Sequence, residues 1–151
     1  MSTAVTSFTP DMKHSYEEKG FLVVERLFSD EDLAGVRQQI DDLIANPDDP
    51  PEGVTVGREG DTEEGSKGTG AVRGGAFLVR FIPYFQDFAR TPKLREYVRG
   101  LLGPRVKVFR DQMLLKPPGG QAKPVHQDQS YFQVMPVNDL VTAWIALDEA
   151  T

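Results

Sequence analysis

Apolar residues along this chain recur first at helical spacing and later in short extended runs. Leu33, Val36, Ile40, Leu43 and Ile44 fall on one face of a helix. Ser29 precedes them as an N-cap, and Asp30, Glu31 and Asp32 put negative charge at the positive helix end. The helix is expected to stop at Asn46-Pro47, because proline disfavours helical backbone in the residue before it. A second helix opens at Thr91-Pro92, carries Leu94, Val98, Leu101 and Leu102 on one face, and ends at Gly103. Phe21 to Val24, bounded by Gly20, reads as a buried strand, and so does Ala76 to Ile82, apolar except for Arg80. Val106 to Phe109 and Met113 to Leu115 alternate as strands, and Pro117 to Gly120 has the residues of a tight reversal. Val141 to Leu147 forms a last strand, with Thr142, Trp144 and Ala146 on one face. Helices first and strands later predict an α+β fold, and a double-stranded β-helix (jelly-roll, cupin-like) core with N-terminal helices suits that order.

Between these pieces, residues 47–75 are rich in proline, glycine and acid, and are expected to form a mobile loop. Two phosphate-binding readings of this stretch fail. Gly60 to Lys67 begins like a P-loop but has Ser66 where lysine must follow the second glycine, and no Gly-x-Gly-x-x-Gly follows a strand. The bland alternative is a solvated loop; an active-site lid is the functional one.

Composition narrows the function classes. The 151 residues read as one domain, and 39% hydrophobic content indicates a folded chain. A net charge of −6 argues against a nucleic-acid surface, which calls for clustered Lys and Arg. No cysteine is present, so disulfides and thiolate metal sites are excluded, and a cytoplasmic location is expected. No apolar stretch approaches a membrane span, and Met1 to Asp11 lacks an apolar signal region.

The chemistry concentrates at His126-Gln127-Asp128, between the Lys116–Pro124 loop and the apolar run from Leu140. On extended backbone, residues two apart face one side, so an imidazole and a carboxylate can close on one metal. These are two thirds of a 2-His-1-carboxylate site for non-haem Fe(II). The other histidine, His14, lies far upstream in a polar stretch. A bare His-x-Asp triplet is usually an exposed strand feature, so its surroundings must carry the assignment.

Those surroundings are specific. Lys116-Pro117-Pro118, the triplet, the pair Tyr131-Phe132, then Asp139-Leu140 and Ala143-Trp144 follow in a pattern that resembles the phytanoyl-CoA dioxygenase family of Fe(II)/2-oxoglutarate oxygenases. Tyr16 to Val24 is similar to the family's opening segment; Val125 departs from it, since many members carry tryptophan there. The resemblance implies Fe(II), 2-oxoglutarate and O2 as cofactor and co-substrates, with ascorbate in support. It implies His126 and Asp128 as metal ligands, and Gln112 and Trp144 lining the co-substrate site. Tyr131 and Phe132 are candidates for the substrate pocket. Arg80 is a candidate carboxylate partner, because a charge buried in an apolar strand needs one. The implied reaction couples decarboxylation of 2-oxoglutarate to hydroxylation of a C–H bond in a small-molecule or lipid-like substrate.

The second metal histidine and the arginine for 2-oxoglutarate are expected beyond Thr151. Residues 1–151 alone are therefore expected to be inactive and prone to associate through an unpaired strand edge. Two other readings stay open: a non-catalytic fragment or pseudoenzyme, and a jelly-roll binding module with a fortuitous triplet.

Overall fold

The computed structural model describes residues 7–60, 70–120 and 124–149. In chain order the elements are α1 (Pro10–Lys19), α2 (Asp30–Ala45), β1 (Thr55–Arg58), β2 (Val72–Ala76), α3 (Leu78–Phe81), α4 (Pro83–Ala89), α5 (Pro92–Leu102), β3 (Gln112–Leu114), α6 (Gln129–Phe132) and a 3-10 turn, Val137–Asp139. The chain's contacts group into two compact units. One comprises residues 1–34, 90–107 and 127–151, the other residues 35–89 and 108–126. None of the described helices is long and apolar enough to cross a membrane.

The first unit is held by α5. The Phe8 ring meets the buried Tyr97 ring edge-on at 5.9 Å, and the Phe8 N–H donates to Glu96 at 2.8 Å. A Cβ on Gly100 would fall 2.3 Å from the Phe8 ring, so glycine is what lets that ring lie against the helix. Burial pushes the Tyr97 phenol up, and Glu96 adds to the shift. The start of α2 carries a reciprocal cap: Asp32 N–H donates to Ser29 Oγ at 3.2 Å, and Ser29 N–H to Asp32 Oδ2 at 2.9 Å. Lys93 of α5 pairs with the same Asp32 carboxylate and lies over the Phe28 ring.

The second unit is built on an antiparallel sheet in the order β1-β2-β3. Thr55, Val56 and Gly57 pair with Ala76, Gly75 and Gly74, and a register shift then sets Arg58 against Val72. Gly74, Gly75 and Ala76 pair on the other side with Leu114, Met113 and Gln112. The buried apolar residues of this unit come from α2 (Val36, Ile40, Leu43), the sheet (Val72, Ala76, Met113), Val54, and the α3–α4 turn region (Leu78, Ile82, Phe85). Each such side chain contributes about 1.5–3 kcal/mol when fully buried.

The two long helices form where the caps and apolar spacing place them, and α2 ends at the Asn46 N–H bond to Asp42. Gly119 turns the chain after Lys116 with φ 74°. The α+β class holds, but no double-stranded β-helix is seen among the described residues. Several expected elements differ. Phe21 and Val23 are 60% and 71% exposed and lie outside any strand, because α1 ends in a left-handed Gly20 and no partner strand among the described residues meets the run. Ala76 to Ile82 is a strand only at Ala76. The chain turns at Phe77, whose φ is 67°, and Phe81 and Ile82 then close helical bonds to Phe77 and Leu78. The expected loop at 47–75 contains β1 and most of β2, since paired glycines let neighbouring backbones approach; residues 61–69 of it lie outside the described residues. Val106–Phe109 and Val141–Leu147 form no ladder among the described residues, and Val108, Phe109 and Trp144 are exposed.

Two measurements test this packing. Gly53 has φ +84°, and a Cβ there would sit 2.5 Å from the Phe81 ring. Gly53→Ala should lower the unfolding free energy by roughly 1–2 kcal/mol from the left-handed backbone alone, read by denaturant titration. Unchanged stability would mean that neither the turn nor the ring contact persists in solution.

The second test concerns Asp32. The Lys93 ammonium, then the Ser29 N–H, hold its carboxyl below the usual aspartate range. A depressed carboxylate stabilises above the ordinary value of about 3.9, and that contribution is lost as pH falls through the lowered folded value. The stability difference between wild type and Asp32→Asn should stay constant above about pH 5 and close below about pH 4. A gap that persists into acid would remove Asp32–Lys93 as a source of stability.

Candidate metal centre

His126 follows the Pro124-Val125 segment at the end of the second unit and is exposed. Its Nδ1 lies 2.8 Å from the Pro124 carbonyl oxygen. A carbonyl only accepts, so in the neutral ring Nδ1 carries the proton and Nε2 the lone pair. That is the tautomer in which a histidine ligates through Nε2 while its other nitrogen is held by a backbone acceptor.

Asp128 opens the last segment of the first unit and is half-buried. Its backbone is right-handed helical (φ −55°, ψ −35°), so the alternation expected of an extended triplet does not run through it. The turn is fixed locally. The Asp128 carbonyl accepts the Tyr131 and Phe132 N–H groups at 3.0 Å each, and Ser130 Oγ donates to the Gln127 carbonyl at 2.6 Å. Among the described residues, no three His, Asp or Glu side chains gather in a metal-holding group. His14 stands on exposed α1, 3.4 Å from Glu18. One imidazole in the ligating tautomer and one carboxylate are donor types that suit Fe(II).

The other candidates are spread over both units. Gln112 opens β3, exposed, opposite Ala76, with buried Met113 beside it. Trp144 is 75% exposed in the first unit. Tyr131 and Phe132 lie on α6, the former exposed and the latter half-buried. Arg80 is not a buried strand charge. It is exposed in the last turn of α3 with its guanidinium over the Phe81 ring at 5.2 Å, so the burial argument for a carboxylate partner is removed. Asp111, which the sequence reading passes over, hydrogen-bonds the backbone of α3 from the residue before Gln112. An acid just before a short strand gives no sequence signal of that contact.

A family model described as Phytanoyl-CoA dioxygenase (PhyH) matches residues 16–151. The chain belongs to the phytanoyl-CoA dioxygenase family. It is 29% identical to the peroxisomal phytanoyl-CoA dioxygenase of Rattus norvegicus over 151 aligned positions, covering 91% of this chain and 42% of the rat protein. It is 30% identical to ectoine dioxygenase of Bordetella parapertussis over 112 positions, covering 74% of this chain and 33% of that enzyme. Phytanoyl-CoA dioxygenase domain-containing protein 1 of Mus musculus is 23% identical, over 94% of this chain. The chain thus spans about two fifths of the phytanoyl-CoA dioxygenases it matches. This family of dioxygenases generally uses Fe(II), 2-oxoglutarate and O2.

Proposed function

We propose that this chain supplies the first two iron ligands, His126 and Asp128, of an Fe(II)/2-oxoglutarate-dependent dioxygenase that hydroxylates a small organic or lipid-like substrate. The observation that carries this reading is the Pro124 carbonyl at His126 Nδ1, within a segment that matches the family throughout. Bound Fe(II) with 2-oxoglutarate and O2 supplies the oxidising chemistry, which ends in succinate, CO2 and one oxygen atom placed on substrate carbon. The protein's own tasks are to hold and orient. The Pro124 carbonyl holds the proton on Nδ1 so that Nε2 binds metal. The Asp128 carboxylate neutralises charge. Gln112 and Trp144 line the co-substrate site, and Tyr131 and Phe132 shape the substrate pocket. In this reading the three-stranded sheet is part of a double-stranded β-helix, and residues 1–151 are the N-terminal portion of one dioxygenase domain. The second imidazole and the basic residue for 2-oxoglutarate then come from the part of the family's length that this chain does not span.

Anaerobic titration with Fe(II) and 2-oxoglutarate tests the chelate through its metal-to-ligand charge-transfer band. In protein that forms the band, His126→Ala or Asp128→Ala should abolish both the band and succinate production, since each removes a ligand. Either variant keeping wild-type iron binding and turnover would end the assignment.

Residues 1–151 alone, with two histidines in all, should make no succinate with Fe(II), 2-oxoglutarate and ascorbate. Turnover by this chain that disappears on His14→Ala would replace this reading with one in which His14 is the third ligand.

A further inference from the structure

The β2–β3 ladder ends at the Ala76–Gln112 pair. Beyond it, side chains continue the connection. The Asp111 carboxylate accepts the Val79 N–H at 3.1 Å, and the Arg110 guanidinium lies 5.8 Å from the centre of the Phe77 ring. Val79 is in the first turn of α3, where N–H groups have no acceptor inside the helix. The residue in the capping place, Phe77, has no side-chain acceptor and is held at φ 67°. The cap therefore comes from Asp111, 32 residues along the chain and part-buried.

Strand β3 pairs with the glycines of β2, a Gly-rich strand specifies register weakly, and a slip of one residue would turn Gln112 to the opposite face. Met113 is buried and Gln112 exposed, so the two faces are not equivalent. The Asp111–Val79 bond acts one residue before Gln112 and anchors the end of the strand that carries it. We infer that Asp111 is a positioning residue for Gln112, fixing the face and register from which Gln112 meets 2-oxoglutarate. This rests on the reading above that Gln112 lines the co-substrate site.

The test compares Asp111→Ala, Asp111→Asn, Gln112→Ala and the Asp111→Ala/Gln112→Ala double variant. Two readouts are independent of turnover: amide hydrogen exchange at Val79 and Met113, and 2-oxoglutarate affinity from the anaerobic charge-transfer band. Asp111→Ala should speed exchange at both amides and weaken 2-oxoglutarate binding roughly fivefold, the net scale of one ordinary hydrogen bond. Asp111→Asn, which keeps an acceptor oxygen, should restore most of both. The double variant should bind no more weakly than Gln112→Ala alone, since the two changes act through one side chain. Additive losses, or fast exchange with unchanged affinity, would reduce Asp111 to a helix cap and overturn the inference. Unchanged affinity in Gln112→Ala would overturn it while leaving the iron ligands in place. All variants are made in protein that includes the rest of the dioxygenase domain, and absence of the band in that wild-type protein would sink the iron reading itself, and this inference with it.

Discussion

The second unit depends on the close approach of β2 to both of its neighbours. A Cβ at Gly74 would lie 2.7 Å from the Met113 carbonyl oxygen, and one at Gly75 would lie 2.7 Å from that of Thr55. No side chain fits at either distance, so consecutive glycines permit the central strand to be flanked on both sides. Glycine normally weakens a strand by entropy and lost packing. Here that cost is offset by two ladders and by burial of Val72 and Ala76 on the same strand. The sheet in turn fixes α3 at both ends of its attachment: β2 runs into it through the left-handed Phe77, and β3 starts where Asp111 caps it.

Local signals account for what the sequence made legible. The α2 and α5 boundaries are written in Ser29, Asn46-Pro47, Thr91-Pro92 and Gly103, and each acts within a turn of the helix it bounds. Their apolar faces could be read because Val36, Ile40 and Leu43 repeat at helical spacing and are buried. Helix α1 has equally local signals, the Thr9 cap with Pro10 and the Gly20 stop, but it buries no residue and has no apolar stripe to attract notice. Strands β1 and β2 read as loop because their glycines suit pairing with distant backbone, which single-sequence preference does not express. The opposite error occurs at Phe21–Val24 and Val141–Leu147, where β-type composition meets no pairing partner among the described residues.

Of the candidate site, the sequence made the donor types legible but not their backbone. His126 and Asp128 stand out by chemistry and by flanking pattern. The assumption of a continuous extended segment fails at Asp128 because Gln127 to Phe132 satisfy one another's backbone groups in a turn. Arg80 misled for a related reason: an apolar run of seven residues is compatible with strand or helix, and only a strand buried on both faces would have enclosed its charge.

That turn changes how the site is organised. On an extended segment, the carboxylate would be aimed by alternation and the following aromatic pair would be independent of it. On a helical turn, Asp128 and Tyr131 are three residues apart and share a face. Their relation is set by the same bonds, from Tyr131 and Phe132 N–H to the Asp128 carbonyl. Ser130 Oγ, bonded to the Gln127 carbonyl, and Gln129 Nε2, bonded to the Val134 carbonyl at 2.6 Å, brace the turn at its two ends. The proposed iron ligand and the proposed substrate-facing aromatics thus share one hydrogen-bonded turn, and a change that reshapes that turn at Tyr131–Phe132 also moves Asp128.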